Sequence, residues 1–482
     1  MRAVVSLRIR LGLLAALSLV AACGDRQEQA VRVAVLDSDS APQRAIRAAT
    51  VEGLVAVDHE GQIVPALADR WIVTEDGQSY IFRLRDGTWA DGSPLTGETA
   101  RTALRQALAS LRGSPLRLDL AAIEEVRAMA GRVVELRLTR PMPDLLQLLA
   151  QPELGLAYRG QGAGPMALRR DGDAVILTPI PPEGRGLPAV KNWAQSARPV
   201  RLLTVPADRA VALFAKGDLD AVLGGTFAEW PAVLSSSLPG QAIRVDPVAG
   251  LFGLAVLHQD GFLAEAENRE AIAMAIDREA LAAAMRAPGW APTTRIVSPA
   301  TPGDADLVAE RWADIAVSQR QAIAASRVAR WRARRGEVVL RIALSTGPGA
   351  DRLFSRLATD LATAGFKVQR VGAEAAADLQ VIDAVAPYSR PDWFFLQLGC
   401  KARPAACSPA ADARYAEALA IIEPAGRSQA LAEAEAQLAA DNVFVPLGPP
   451  LRWSLASPGL AGLTPNRWAL HPLLALAVAV DK

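Results

Sequence analysis

The sequence predicts an α/β protein of more than one structural unit, with mixed sheets and flanking helices. Three observations carry this expectation. The chain has 482 residues, too many for one hydrophobic core and enough for about two to four units. Residues 51–100 read as a meander of short strands that hands over to a helix. Residues 338–371 read as strand, helix, strand, the pattern of two parallel strands joined by a crossover.

Hydrophobic residues make up 51% of the chain and charged residues 21%, a globular balance in which nothing calls for disorder. The formal net charge is +1, and the first 22 residues hold Arg2, Arg8 and Arg10 with no acidic residue. Removing them leaves 1 − 3 = −2, a balance that gives a nucleic-acid partner no electrostatic footing. Removal is expected. A basic start precedes an apolar run from Leu11 to Ala22, broken only by Gly12 and Ser18, which suits a secretory signal and is short for a membrane span. The run ends Val20-Ala21-Ala22-Cys23, which resembles the lipobox of bacterial lipoproteins. That resemblance implies a lipidated Cys23 as the new N-terminus and a stable membrane anchor.

Residues 23–30 then form a polar tether. Val31 to Leu36 is the first strand, Asp37 to Pro42 breaks it, and Gln43 to Thr50 can be helical. In the meander, Gly53 to Val57 and the alternating Ser79 to Leu84 are separated by the turn pairs Glu60-Gly61, Asp76-Gly77, Asp86-Gly87 and Asp91-Gly92. Thr96 can cap the helix that follows, whose apolar positions Leu104, Ala107, Leu108 and Leu111 share one face before Gly113 stops it. Arg132 to Leu138 alternates as a strand, and Pro141 leads a helix to Leu149. Gly162-Ala163-Gly164 precedes a strand pair that turns at Asp171-Gly172-Asp173. The glycines lack the Lys and Ser/Thr of a phosphate cradle.

A helix carrying Ala210, Leu213 and Phe214 ends at Lys216-Gly217, and Asp218 to Val222 returns to a strand, with both aspartates read as turn chemistry. Leu251 to Leu257 is the next strand. Asn268 to Glu279 holds a helix and the start of a second one capped by Asp277. Pro288 to Asp304 is loop-like. Residues 305–335 read as one helix ending in Arg327, Arg330, Arg332, Arg334 and Arg335, taken as a solvated face. The crossover unit of 338–371 has Gly365 as its helix stop. Asp378 to Ala386 is a strand, Tyr415 to Ile422 and Arg427 to Asn442 are helices, and Leu473 to Val480 is read as a terminal buried strand.

Several of these stretches carry a family resemblance. EGL, IVPALADRW, EDG, Tyr80-Ile81-Phe82-Arg83-Leu84-Arg85-Asp86-Gly87 and W-x-DG-x-P-L-T follow one another as in the family 5 extracellular solute-binding proteins, the peptide- and nickel-type receptors of ABC importers. GAGPMAL, PADRAVALFAKGDLDAV, NREAIAMAIDRE and RSQALAEAEAQLAADN followed by VFVPL are similar to further motifs of that family. The resemblance implies a two-lobe periplasmic binding protein, type II-like, with an extra N-terminal subdomain. It places lobe I at 31–250 plus 445–482, including a small subdomain near 51–160, and lobe II at 251–444. Leu251 to Leu257 would carry the chain out of the first lobe and Val443 to Leu447 would bring it back.

The family also implies a function: capture of a peptide or similar small solute between the lobes for delivery to permease subunits. The expected protein is a monomeric periplasmic lipoprotein that uses no cofactor. An alternative keeps the fold as a periplasmic sensing or interaction module without transport. An enzyme is not expected, since no G-x-S-x-G elbow appears. A metal site is not expected either, because His59, His258 and His471 stand singly. With Cys23 lipidated, Cys400 and Cys407 remain as a pair in an oxidising compartment, and a disulfide between them is expected.

In the peptide-binding branch, the segment matching Ala386 to Phe394 reads A-D-Y-P-D-P-x-x-F, and its first Asp pairs with the peptide's α-ammonium. Here Ala386, Tyr388, Pro391 and Phe394 match, but Pro387 stands at the amine-binding position. Either Asp383 or Asp392 substitutes from nearby, or the ligand has no free α-amine. Pro387 also removes a backbone donor from the strand edge. The resemblance thus implies ligand contacts at Asp383, Val385, Ala386, Pro387, Tyr388, Asp392 and Trp393. For Trp393, Phe394 and Phe395, hinge packing and cleft lining are both open.

Overall fold

The computed structural model describes residues 30–38, 41–299, 301–304 and 306–478. Cys23 and the signal segment lie outside the described residues. The architecture is built on two mixed sheets. The first has seven strands in the order Ile243–Val245, Trp453–Ala456, Ala221–Gly225, Val31–Leu36, Val200–Val205, Ala174–Pro179 and Met166–Asp171. Its middle strand, Val31–Leu36, runs parallel to both neighbours and is buried along almost its whole length. That explains a continuous apolar run rather than an alternating one. The second sheet has five strands in the order Lys367–Gly372, Val339–Leu344, Leu379–Val385, Gly250–Val256 and Phe444–Gly448. Val339–Leu344 is parallel to both its neighbours, and Pro348–Thr363 is the crossover helix that the parallel pairing requires.

The meander of the N-terminal region forms its own antiparallel sheet, Ala68–Val73, Ser79–Leu84, Val133–Leu138 and Ile123–Ala128. Tyr80, Phe82 and Leu84 face inward on alternate positions. They pack on Ala100, Ala103, Leu104 and Ala107 of the helix Gly97–Ser110. Thr96 caps that helix through the Thr99 backbone N–H, and the Thr99 hydroxyl returns a contact to the Thr96 N–H. Gly162 and Gly164 answer a close approach: a Cβ on Gly164 would lie 2.2 Å from the Thr50 carbonyl carbon.

Two connections join the large sheets. Residues 246–249 carry the chain out of the first, and residues 449–452 carry it back. The crossings lie side by side, with the Asp246 N–H donating to the Arg452 carbonyl at 3.0 Å. The return crossing was expected at Val443 to Leu447, with the lobe boundary at 444/445. Instead, Phe444–Gly448 completes the second sheet, pairing antiparallel with Gly250–Val256. Its apolar side chains are wholly buried there, and only Trp453–Ala456 rejoins the first sheet.

Two other expectations change. Leu473–Ala477 is a short helix, not a strand, because Leu473, Leu476 and Ala477 recur at helical spacing against the first sheet. Val317–Arg335 is helical but residues 306–316 are not. Glu310 is held there by the Thr293 hydroxyl and by the Thr294 N–H and hydroxyl, which ties this segment to a loop.

Cys400 and Cys407 are joined by a disulfide, with Cα atoms 4.9 Å apart. Closing an eight-residue loop contributes roughly 2.5 kcal/mol by chain entropy. Thiol titration of unreduced protein with Cys23 replaced by serine is expected to find no reactive thiol, and two would contradict the bridge.

Candidate functional site

Parallel strands of the two large sheets end toward one another. The loop after Ala221–Gly225 meets the start of the helix that follows Val339–Leu344, where the Gly349 N–H donates to the Ala228 carbonyl at 2.7 Å. Ligands of open α/β sheets bind at the carboxyl ends of the strands, so this meeting of lobes is the candidate site. A shallow crevice of about 30 Å³, open to solvent, remains between them. Phe227 and Trp230 come from the first lobe, Leu281, Met285 and Leu353 from the second, and Phe252 forms the floor beside the crossing. The Phe227 and Phe252 rings lie 4.9 Å apart. Trp230 spends its ring N–H on the Met285 carbonyl at 2.7 Å.

Asp383 lies on Leu379–Val385 opposite Phe252. Both of its carboxylate oxygens accept from Arg452 Nη1, at 2.8 and 2.9 Å, while Arg452 Nη2 reaches the Asp383 carbonyl. The strand is therefore tied to the return crossing. Val385 pairs with Gly250 in the ladder, and the Ala386 N–H donates to the Ala249 carbonyl. On its other side the strand pairs with Val339–Leu344 only at Leu379 and Gln380. The ladder with Val339–Leu344 thus stops at Gln380.

Beyond Pro387 the chain turns into the helix Asp392–Leu398 and leaves the cleft. Asp392 is buried and accepts from Arg390 Nε at 3.1 Å, Arg427 Nη2 at 3.2 Å and the Tyr415 hydroxyl at 3.3 Å. Trp393, Phe394 and Phe395 are all buried in a core shared with the N-terminal subdomain, and Phe395 stacks on Tyr415 at 4.9 Å. The structure therefore brings Asp383, Val385, Ala386 and Pro387 together beside the crossing. It places Asp392 and Trp393 in packing. Each of the two aspartates named as possible amine partners has an arginine of its own.

Sequence reasoning missed the carboxylate that Tyr388 meets. The Tyr388 hydroxyl donates to Asp119 Oδ1 at 2.9 Å, and Gln397 donates to Asp119 Oδ2 at 3.3 Å. Asp119 belongs to the N-terminal subdomain and is 1% exposed. Burial pushes its carboxyl up to about 7, against the opposing pull of the Tyr388 hydrogen bond. Burial also raises Asp144, which pairs with Arg390, to about 6, while Arg390 opposes the rise. Between the ordinary carboxylate value of 3.8 and about 7, the folded chain holds a proton on Asp119 that the unfolded chain has released. Its contribution is present below that range and lost as pH rises through about 7. Asp119→Asn is accordingly expected to remove about 2–4 kcal/mol of the fall in stability with rising pH. Denaturation at acid and mildly alkaline pH measures this. An unchanged pH dependence in the variant would contradict it.

Family comparison decides what kind of two-lobe protein this is. The sequence model of the bacterial extracellular solute-binding proteins, family 5 (middle), matches residues 62–169 and 193–400. The chain belongs to this family. Among the similar proteins, one named as a probable deoxycholate-binding periplasmic protein, YgiS of Escherichia coli, is 34% identical over 122 residues. That stretch is 21% of this chain and 23% of the relative. The periplasmic oligopeptide-binding protein OppA of Salmonella typhimurium is 22% identical over 316 residues, 57% of this chain and 55% of its own length. The matches thus span about half or less of these curated relatives.

Solved structures show a like fold over nearly the whole chain. Haemophilus influenzae OppA in complex with the peptide RPPGFSPFR superposes with a TM-score of 0.79 at 18% identity, covering 95% of this chain and all of that one. The murein tripeptide-binding protein MppA of Escherichia coli gives 0.79 at 18% identity, covering 94% and 99%. No helix among the described residues is long and apolar enough to cross a membrane.

Proposed function

We propose that this chain is the periplasmic receptor of an ABC importer, held to a membrane through lipid on Cys23, monomeric, and delivering a captured solute to permease subunits. One observation carries the reading: a family 5 match over most of the chain coincides with two lobes joined by only two adjacent crossings, the construction of a hinge. Lobe I takes residues 31–245 and the chain from Trp453 onward, and lobe II takes Gly250 to Gly448. The strand edge beyond Gln380, where the ladder with Val339–Leu344 stops, would bring an extended ligand alongside. Asp383 and Pro387 lie along or beside that edge.

A peptide is the solute class that the named relatives favour, and deoxycholate is the other. The carboxylate on that edge, Asp383, is already held by Arg452, which favours solutes without a free α-amine. Thermal denaturation against peptides, amine-blocked peptides and bile acids tests this. A solute at 100 times its Kd adds about 2.7 kcal/mol. Amine-blocked peptides or bile acids are expected to stabilise more than free peptides do. A panel that leaves the midpoint unmoved would count against the receptor reading.

A further inference from the structure

We propose that Asp119 and Asp144 are the two carboxylates of a proton-operated latch, through which the N-terminal subdomain holds lobe II against it and which releases as pH rises. The inference rests on the hinged-receptor reading and names a regulation of the same closure. It starts from connectivity. The chain passes between the lobes only at residues 246–249 and 449–452, so the contact between the subdomain and lobe II is non-covalent and must part when such a hinge opens. Lobe II supplies both side-chain donors to the buried Asp119, the Tyr388 hydroxyl at 2.9 Å and Gln397 Nε2 at 3.3 Å. A second contact stands on the same segment: Arg390 Nε lies 3.3 Å from Asp144 Oδ2 and 3.1 Å from Asp392 Oδ2. The short helix Leu116–Asp119 packs on Asp392–Leu398 between them. Residues 388–397 thus answer both carboxylates, directly after the strand that lies beside the crossing.

Neither carboxylate has a cation to itself. Among the described residues Asp119 is met by a phenol and an amide, and burial pushes its carboxyl up to about 7. Asp144 shares Arg390 with Asp392, and burial, helped by the Asp392 charge, pushes it up to about 6. The other cations at this face serve Asp392 and its neighbour: Arg427 holds Asp392 at 3.2 Å, and Arg140 and Arg427 both act on Tyr415. Tyr80, Tyr388 and Tyr415 are all raised by burial and by the adjacent carboxylates, so no phenol here gives up its proton. Parting the lobes returns Asp119 and Asp144 to water, and to the ordinary value of 3.8. The closed form therefore holds protons that the open form has released. Its advantage is complete below the ordinary value and is lost as pH rises through about 6 and about 7. Between pH 5.5 and pH 8 the closure constant is expected to fall about tenfold or more.

Small-angle scattering of the mature chain carrying Cys23→Ser, at pH 5.5 and pH 8 without added solute, tests the latch. The radius of gyration is expected to be larger at pH 8. Asp119→Asn keeps a neutral, hydrogen-bonding side chain against Tyr388 and Gln397, so it should stay near the compact value at pH 8. Asp119→Asn combined with Asp144→Asn should make the two pH values alike. Circular dichroism reads folding independently at both, and a merely structural role would lower the variants' stability without moving this pH profile. The latch is overturned if the parent has one radius at both pH values, or if the double variant expands as the parent does. Either result, found alongside stabilisation by peptides or bile acids, would leave the receptor reading standing, whereas a chain that no solute stabilises would fail as a receptor whatever its pH profile.

Discussion

Replacing Glu435 with alanine is expected to destabilise the protein by about 3–5 kcal/mol, the cost of breaking a buried ion pair by removing one partner. Glu435 is 2% exposed. Its carboxylate accepts from the Ile296 and Val297 N–H groups, both at 3.1 Å, and from Arg295 Nη2 at 3.0 Å. Burial raises the Glu435 carboxyl, and Arg295 holds it back. Arg295 is as deeply buried and is gripped on its other side by Asp304 at 2.8 and 2.9 Å. One side chain on the helix Pro424–Asp441 thus anchors the loop that runs over Gly250 and Phe252 at the crossing. Glu435→Gln keeps acceptors for the backbone and leaves Arg295 its Asp304 partner, so it should cost roughly half as much. Chemical denaturation gives both values, and amide exchange should quicken in residues 293–304 first. A loss under about 1 kcal/mol for the alanine variant would show that the network does not anchor the loop.

Glu52→Ala is expected to cost about as much, roughly 3–5 kcal/mol, in the other half of the molecule. Glu52 pairs with Arg85 at 3.2 Å and Arg185 at 2.5 Å, all three being buried or nearly so. Arg85 also donates to the Ala66 and Ala163 carbonyls. The cluster therefore pins the strand meander, the Gly162–Gly164 turn and residue 185 to one point. Burial lowers the Arg185 guanidinium and raises the Glu52 carboxyl, each partly offset by the other's charge. Without Glu52, two buried guanidiniums face each other. Glu52→Gln should fall between the parent and the alanine variant. If denaturation midpoints of the alanine variant and parent coincide, the cluster does not bear on stability.

What the sequence made legible follows from how local each signal is. The Asp-Gly turns and the alternation of Ser79 to Leu84 fix a meander within a few residues, and both form. The crossover of 338–371 is equally local, a capped and stopped helix between two apolar runs. Val443 to Leu447 is different, because a wholly buried run announces a strand but not its neighbour. The ladder partner turned out to be Gly250–Val256. Leu473–Ala477 shows the other ambiguity of a short apolar run, helix against strand.

The candidate site was less legible because its pairings span the chain. Asp119 and Tyr388 lie 269 residues apart, and Asp383 and Arg452 lie 69 apart. Nothing local in the stretch around Asp119 marks its carboxylate as one that would meet the segment after Pro387. The departure at Pro387 was visible, as was the question of which carboxylate could replace the missing one. Its physical content, that Asp383 and Asp392 are already answered by arginines, needed the fold. The crevice draws on four separated segments and has no sequence signature at all.

Capture of a small guest between the lobes is tested most directly by native mass spectrometry of protein purified from its own cells without refolding. The receptor account predicts a mass above that of the lipidated chain, with an adduct released on denaturation and identifiable in the organic extract. A bare mass in every preparation, together with no stabilisation by any solute added afterwards, would contradict it.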